Sequence, residues 1–384
     1  MVGPGRGPRA IARGGPVRGR GRWQGPGVGR RLLLVVPPLA LATAYRAWGG
    51  PGSPSPGSPS PGSPSGAGPA AKASWPGSAA GEPALGLYRT DFPDDLAALA
   101  EVRTAAAPAA APPVLVAWYA LWGGWKRALR AEDLEHVAAA GGIPLITWEP
   151  WAGTALDPAW SLRRAVLSGA HDAYIDSWAR GLAAFGRPVL LRFAHEMHDH
   201  GWYPWAVGRN GNTAADALAA WRHVRAIFRA AGADNVRWVW NPNTLGDAPA
   251  ARHEAVYRSL YPGDAEVDWV GLDVFNTGPA LDWGAPYWRS FRDALSAPYE
   301  ALARVSRHPL LLPEVGCTET GGSKATWIAE ALSPDTAERF PRVRALVWFD
   351  TPKEQPWHLD SSPAARAAWE TGLRGRAARG ETSA

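Results

Sequence analysis

Two glutamates, Glu196 and Glu314, each follow a short apolar run and are well placed for acid–base chemistry. The first lies in residues 188–205, PVLLRFAHEMHDHGWYPW, and the second in residues 309–316, PLLLPEVG. Short apolar runs of this kind predict buried parallel strands. An isolated buried carboxylate is costly, so each glutamate is expected either to be paired or to take part in chemistry.

Two carboxyl groups that face one another can cleave a glycosidic bond. One protonates the leaving oxygen, and the other attacks the anomeric carbon or activates a water molecule. The two groups must differ in pKa, and their surroundings set that difference. Trp202 and Trp205 crowd Glu196, so Glu196 is predicted to be the protonated partner. Glu314 is predicted to be kept ionised by hydrogen-bond donors, for which the candidates are Arg192 and His195. An ion pair inside the fold is the alternative role for each glutamate.

Eight apolar, β-rich runs alternate with helical stretches from residue 85 onward. They span residues 85–88, 114–119, 143–148, 189–193, 236–240, 267–273, 310–313 and 344–349. This alternation predicts an α/β fold, a (β/α)8 TIM barrel. The main rival, a doubly wound open sheet, lacks its usual G-x-G-x-x-G after the first strand. In a barrel both glutamates lie at the carboxyl ends of strands, where barrel enzymes have their sites.

The basic residues are confined to the N-terminal arm. Residues 1–81 carry nine Arg, one Lys and no acid, so the remainder has a net charge of −5. This distribution argues against a nucleic-acid partner for the folded domain. The single cysteine, Cys317, excludes an intrachain disulfide. The chain has 22 Trp, and because sugar rings stack on indole faces, this number favours a carbohydrate ligand.

Four segments are predicted. Residues 1–46 form a basic leader, whose apolar run at 32–40 and A-x-A pattern at 42–44 fit a secretory signal; a disordered tail with a chance leucine run is the alternative. Residues 47–84 form a Pro/Gly/Ser-rich linker that repeats PGSPS three times. Residues 85–374 form the catalytic barrel, and residues 375–384 a disordered tail.

We expect a secreted or cell-surface monomer, with the N-terminal segment able to tether it to a membrane or cell wall.

The order of ten short motifs resembles glycoside hydrolase family 26, the β-mannanase family. The motifs, from about residue 85 to about residue 369, are HEM, WYPW, WRHV, WVWNPN, YPGD, VDWVGLD, PEVG, GGSKATWI, VWF and LDSS. The resemblance implies a (β/α)8 fold and retaining hydrolysis of internal β-1,4-mannosidic bonds, without metal or cofactor. It makes Glu196 the acid/base and Glu314 the nucleophile. The predicted substrate contacts are His195, Trp202, Trp205, Asp273, Trp348, Arg192 and Trp148.

Two departures from the family pattern leave alternatives open. After HEM the family usually has Asn-Gly-x-Trp, whereas this chain has one more residue before Trp202 and no Asn. After Asp273 the family usually has a Tyr whose hydroxyl lies near the nucleophile, and this chain has Phe275. The missing hydroxyl predicts a raised pKa of the nucleophile, a changed substrate or a weakened enzyme. A sugar-binding barrel without catalysis, and a hydrolase of another β-linked polymer such as β-1,3-xylan or an exopolysaccharide, are the alternatives.

A metal site is the other interpretation of the polar cluster at residues 195–200. The zincin motif H-E-x-x-H is not met, because Asp199 stands at the position of its second histidine. A polar loop over a cleft is the simpler interpretation. Glu149, in TWEPW, is a candidate third acid of the cleft, with a loop-fixing salt bridge as the alternative.

Overall fold

The computed structural model describes residues 82–105, 114–124, 128–153, 157–198, 202–281 and 285–382. The predicted leader and nearly all of the predicted linker therefore lie outside the described residues. Among the described helices, none is long and apolar enough to cross a membrane.

One parallel sheet closes into a barrel. Its strands are β1 Ala84–Tyr88, β2 Val114–Leu121, β3 Gly142–Glu149, β4 Val189–Phe193, β5 Val236–Trp240, β6 Trp269–Gly271, β7 Val274–Asn276, β8 Leu310–Cys317 and β9 Val343–Phe349. β6 pairs with both β5 and β8, which closes the sheet. β6 and β7 share one strand position, interrupted at Leu272 and Asp273. The described part of the chain thus has eight strand positions, and the predicted (β/α)8 barrel is confirmed.

Helices cover the outside of the barrel. They are α1 Ala97–Ala105, α2 Ala131–Ala139, α3 Asp172–Phe185, α4 Ala214–Ala230, α5 Ala250–Leu260, α6 Phe291–Val305, α7 Lys324–Ala331, α8 Pro334–Arg339 and α9 Pro363–Thr382. The start of α4 is fixed by a capping box, in which Thr213 and Asp216 bond each other's backbone N–H groups. Gly141 and Gly232, with φ of 72° and 70°, follow the ends of α2 and α4.

The tail predicted to be disordered from residue 375 is corrected by α9, which continues to Thr382. Leu373 is buried, and Arg376 and Arg379 both pair with Glu82 at the start of the barrel. The long-range ion pairs were not visible in the sequence because Glu82 is almost 300 residues away from its partners. They join the last helix to the first strand.

Side chains alternate between the barrel interior and the layer beneath the helices, as the period of two along a strand requires. An inner cluster contains Tyr88, Leu115, Leu145, Leu190 and Phe349. A much larger outer cluster lies between the strands and the helices. Going two residues at a time from Leu115, Leu145 and Leu190 leads to side chains that enter the mouth of the barrel, namely Tyr119, Thr147, Glu149 and Arg192.

Lys324, the first residue of α7, holds the loop after β9. It is fully buried, and its Nζ donates to the carbonyl oxygens of Pro356 (2.8 Å), Trp357 (3.2 Å) and His358 (2.8 Å) and to Ser361 Oγ (2.8 Å). Burial lowers the pKa of Lys324 to about 8. One ammonium thus satisfies three carbonyl groups of the loop.

We expect Lys324→Met to lower the free energy of unfolding by about 3 kcal/mol, because it leaves these buried carbonyl groups without a donor. Chemical denaturation at pH 7 measures the change. Arg180→Met is the matched control, since Arg180 is mostly exposed and, among the described residues, pairs with Asp176 on its own helix; it should leave the free energy of unfolding nearly unchanged. Equal effects of the two substitutions would show that Lys324 does not hold the loop.

Candidate active site

Glu196 is aimed by a strained turn at the end of β4. Ala194 and Glu196 have φ of 46° and 52°, in the left-handed region that residues other than glycine rarely occupy. The backbone N–H of Glu196 donates to Asn241 O at 2.8 Å, which ties the turn to the end of β5. Strain of this kind persists where the surrounding structure enforces it, commonly at active sites.

Glu314 is turned into the barrel by a bulge in β8. Leu312 pairs with Leu346 and Val315 with Trp348, so two residues of β8 stand opposite one residue of β9. Without the extra residue, strict alternation from the inward-facing Leu311 would send Glu314 outward. Glu314 therefore lies within β8, which continues to Cys317, rather than at its end as predicted.

Arg192 connects the acids at the mouth of the barrel. Its Nη1 donates to Glu314 Oε1 at 2.5 Å and to Thr147 Oγ1 at 3.2 Å, and its Nη2 donates to Asp273 Oδ2 at 2.6 Å. Arg192 and Asp273 are completely buried. Asn241 Nδ2 also donates to Asp273 Oδ2, at 2.7 Å. One guanidinium therefore compensates two carboxylates that would otherwise be costly to bury.

Tyr119, at the inward end of β2, is the second donor to Glu314. Its hydroxyl donates to the oxygen that Arg192 also binds, Oε1. No described residue donates to Oε2, which leaves that oxygen available for attack. The prediction that His195 supplies this second donor is corrected, because His195 Nε2 instead contacts the hydroxyl of Tyr203 at 3.0 Å.

The surroundings of Glu196 favour its protonated form. Burial raises its pKa well above the usual glutamate value, and the nearby charges of Asp273 and Glu314 raise it further, against the opposing effect of Arg192. Asn243 Nδ2 donates to Glu196 Oε1 at 2.6 Å and fixes the carboxyl group. Glu314, by contrast, accepts hydrogen bonds from Arg192 and Tyr119, so the two acids have different surroundings.

The loop after Glu196 is braced by aromatic rings. Trp205 is fully buried, stacks on Tyr203 with ring centroids 4.3 Å apart, and donates from Nε1 to His195 O at 2.8 Å. Trp205 was predicted to contact substrate and instead supports the loop. Trp202 is 48% exposed, so its predicted contact with sugar stays a prediction. Asp199 and His200 lie outside the described residues.

Trp148 and Trp348 face away from the mouth, which contradicts their prediction as substrate contacts. Trp148 packs against Trp178 with ring centroids 5.0 Å apart, and Trp348 packs against Trp327 at 5.8 Å. Both are completely buried in the layer between strands and helices. The physical reason is the period of two, because the residues that follow them point inward. Glu149 and Phe349 enter the mouth instead.

Phe275 and Trp357 are aromatic residues of the mouth whose place the sequence did not reveal. Their rings meet edge to face with centroids 5.1 Å apart, and both belong to the inner cluster. Gly316 makes this contact possible, because a Cβ at this position would lie 2.6 Å from the Phe275 ring. For Phe275 the available signal was the inward register of β7, which short motifs do not encode; Trp357 lies in the loop after β9, where no strand register predicts its position.

Glu149 enters the mouth from β3. Its Oε2 accepts from Trp151 Nε1 at 3.0 Å, and its Oε1 lies 4.0 Å from His195 Nδ1. Burial raises the pKa of Glu149 to about 7. The folded protein therefore binds this proton more tightly than the unfolded chain does, and the stabilisation from that proton is lost as the pH rises from about 4.5 through 7.

We expect Glu149→Gln to stabilise the protein relative to the parent by about 2 kcal/mol at pH 8, with no gain at pH 4, because glutamine never ionises. Urea denaturation of both proteins across this pH range measures the difference. Glu300→Gln, at an exposed position on α6, is the control and should show no such trend. A difference independent of pH would contradict the assignment of this titration to Glu149.

In the described part of the chain, no group of three or more His, Cys, Asp or Glu side chains is arranged to hold a metal ion. The site consists of Glu196, whose surroundings favour the protonated form, of Glu314, which is bound by two donors, and of the bridging Arg192. At the mouth of a (β/α)8 barrel this combination is the chemistry of a glycosidase.

Comparison with known proteins shows a likeness to one family of glycoside hydrolases. The model of glycosyl hydrolase family 26 matches residues 146–287, which include Glu196. This part of the barrel is similar to glycosyl hydrolase family 26, and the predicted resemblance to that family is confirmed.

Relatives matched by sequence have differing names. The chain is 38% identical over 237 residues to Endoglucanase H of Acetivibrio thermocellus, a match that covers 61% of this chain and 24% of that protein. It is 38% identical over 111 residues to Beta-1,3-xylanase TXYA of a Vibrio species, covering 29% of this chain and 22% of that protein. The chain thus spans about a quarter of the length of these relatives.

Solved structures support the fold. A GH26 β-mannanase from Bacteroides ovatus, 17% identical, aligns over 78% of this chain and 90% of its own with a TM-score of 0.55. A modular endo-β-1,4-mannanase from Cellulomonas fimi, 20% identical, aligns over 76% of this chain and 70% of its own with a TM-score of 0.56. At these identities the likeness concerns the barrel alone.

Proposed function

We propose that this protein is a retaining glycosidase that cleaves internal bonds of a β-linked polysaccharide. The observation that carries the proposal is the pair of unequal acids, in which burial and neighbouring charge favour protonated Glu196 while Arg192 and Tyr119 bind Glu314 through one oxygen. Each acid has the environment that its step requires.

The first step joins the sugar to the protein. Glu196 donates its proton to the glycosidic oxygen as the bond to the anomeric carbon breaks, and Glu314 Oε2 attacks that carbon. Arg192 and Tyr119 keep Oε1 in place, so that the attacking oxygen is presented to the sugar. The aglycone leaves with the proton from Glu196.

In the second step the protein releases the sugar. Glu196, now ionised, takes a proton from a water molecule, whose oxygen attacks the anomeric carbon from the face that the aglycone left. Glu314 departs as a carboxylate and regains the full hydrogen bonds of Arg192 and Tyr119. Two inversions give net retention.

Two polymers are candidate substrates. The motif order resembles the β-mannanase family, which supports β-1,4-mannan or glucomannan. The longer sequence match is to a protein named Endoglucanase H, which specifically supports a β-glucan. Mannose and glucose units differ in the orientation of the C2 hydroxyl, beside the anomeric carbon that the nucleophile attacks, and near that nucleophile this chain carries Phe275 and Tyr119.

A substrate panel tests the proposal. The full-length protein is incubated with mannan, glucomannan, mixed-linkage β-glucan and β-1,3-xylan, and new reducing ends are counted. NMR of the first product identifies its anomer. We expect cleavage of a mannan-type chain or a β-glucan, a rapid fall in chain length and a β-anomer at first. Binding without any new reducing end would instead identify a sugar-binding barrel, and an α-anomer at first would exclude retention.

We also propose that the protein acts outside the cell as a monomer. The leader-like sequence at residues 32–44 and the linker that follows it support the export part of this proposal. N-terminal sequencing of material recovered from the medium and from cell-surface fractions tests export and tethering. Light scattering tests the monomer.

A further inference from the structure

We propose that Tyr119 has taken over the task of supporting the nucleophile, so that the hydroxyl absent at Phe275 is supplied from the opposite side of the barrel mouth. This inference rests on the proposed function. Tyr119 comes from β2 and Phe275 from β7, and the two strands are not neighbours in the sheet. The sequence alone therefore gives no sign of the replacement.

The hydrogen bond of Tyr119 carries this proposal. Its hydroxyl donates to Glu314 Oε1, the oxygen that Arg192 Nη1 also binds. Burial and the nearby Glu314 charge raise the pKa of Tyr119, so the hydroxyl keeps its proton and remains a donor. An ionised acceptor strengthens such a bond.

The ring of Phe275 has a different task. It lies edge to face against Trp357 and Phe349, with centroids 5.1 and 5.6 Å away, and it covers Gly316 directly after the Glu314 segment. The apolar ring thus closes one side of the mouth. Fixation of Glu314 is left to Tyr119 and Arg192, among the described residues.

Tyr119 acts through Glu314 and is a positioning residue. In the free protein its proton stabilises the carboxylate. During attack by Oε2 the charge leaves Glu314, and the hydrogen bond to Oε1 weakens without breaking. When the glycosyl group departs, the charge returns and the bond strengthens again, which favours release of the carboxylate.

Substitution of Tyr119 leaves all the other titratable or charged groups around Glu314 present in the protein. They are Tyr88 on β1, Glu149 on β3, Arg192 on β4, Glu196 and Tyr203 after β4, Asp273 between β6 and β7, and Lys353 after β9. A shift in the acid limb of the pH–rate profile therefore reports the loss of one donor to Glu314.

Tyr119→Phe tests the proposal in the full-length protein. We expect kcat to fall by about 10- to 100-fold with KM nearly unchanged, as loss of one hydrogen bond to a charged group implies. We also expect the acid limb of kcat/KM to move to higher pH, because the carboxylate loses a donor that favours it over the acid. Unchanged kcat and an unchanged limb would overturn the proposal.

Tyr88→Phe is the matched control. The Tyr88 ring contacts that of Tyr119 edge to face with centroids 5.0 Å apart, but no described residue binds its hydroxyl. Tyr88→Phe also removes a tyrosine hydroxyl close to the site, and it should leave kcat and the acid limb of the pH–rate profile as in the parent. Equal changes in both variants would overturn the assignment to Tyr119.

A second variant retains the hydroxyl. A fluorinated tyrosine at position 119 is a stronger donor of nearly the same shape, and should move the acid limb to lower pH, opposite to Tyr119→Phe. A limb that stays in place would overturn the proposal even if the phenylalanine variant fails to fold. If the parent itself releases no reducing ends, the proposed function fails. If the parent is active and the Tyr119 variants behave like it, this inference fails and the proposed function stands.

Discussion

Glu314→Gln is expected to reduce kcat on the polymer by at least about 10⁴-fold while leaving the fold intact. Glutamine can still accept from Arg192 and Tyr119 through its carbonyl oxygen, but its amide nitrogen, in place of Oε2, cannot attack the anomeric carbon. Loss of the nucleophile removes the covalent route altogether, and losses of this order are typical of such groups. Initial rates of reducing-end release measure the effect.

Glu314→Ala adds a chemical readout. The shortened side chain leaves a space beside Arg192, where azide can attack the anomeric carbon of a substrate with a good leaving group. The product should be a glycosyl azide of inverted configuration, since a single displacement replaces two. The exposed Glu300→Ala removes the same charge from α6 and should behave as the parent. Formation of a retained azide product by Glu314→Ala would show that this residue is not the nucleophile.

Glu196→Ala is expected to lower kcat on the polymer by about 10³-fold, in the range of general acid catalysis. A polysaccharide has a poor leaving group and needs the proton from Glu196. An aryl glycoside with an acidic phenol needs little protonation, so its first step should be much less affected. The basic limb of the pH–rate profile, which reports ionisation of Glu196, should disappear.

Azide distinguishes the two acids. In Glu196→Ala it should accelerate turnover of aryl glycosides and give a glycosyl azide of retained configuration, because it attacks the covalent intermediate from the face where Glu196 stood. Equal losses on polymer and on aryl glycosides, without azide rescue, would contradict an acid/base role. The pair of opposite configurations from the two alanine variants would establish both roles.

The barrel could be predicted because each strand and helix is indicated by the pattern of neighbouring residues in the sequence. Eight apolar runs separated by helical stretches leave few topologies, and parallel strands place their carboxyl ends on one face. Glu196 was recognisable for the same reason, since it comes directly after an apolar strand and within the HEM motif. The disordered tail was mispredicted because Arg376 and Arg379 find Glu82 only in the folded chain.

Register decided which aromatic residues face the mouth of the barrel. Trp148 and Trp348 stand next to inward-facing Glu149 and Phe349, and the alternation along a strand sends the two indoles under the helices. Motif matching does not distinguish neighbouring residues, whereas counting by twos from a buried leucine would have done so. Pro313, which strands avoid except at edges and bulges, was the local sign of the bulge that turns Glu314 inward.

The sequence by itself determined the fold class, the two acids and the likeness to family 26, because these depend on strand periodicity and on short motifs around single residues. Only the tertiary structure decided what surrounds each acid. Tyr119, Arg192 and Asp273 come from three distant segments, and a hydrogen bond between side chains requires their atoms to meet within about 3 Å. The order of residues along the chain does not show these contacts, because they form only when the barrel closes.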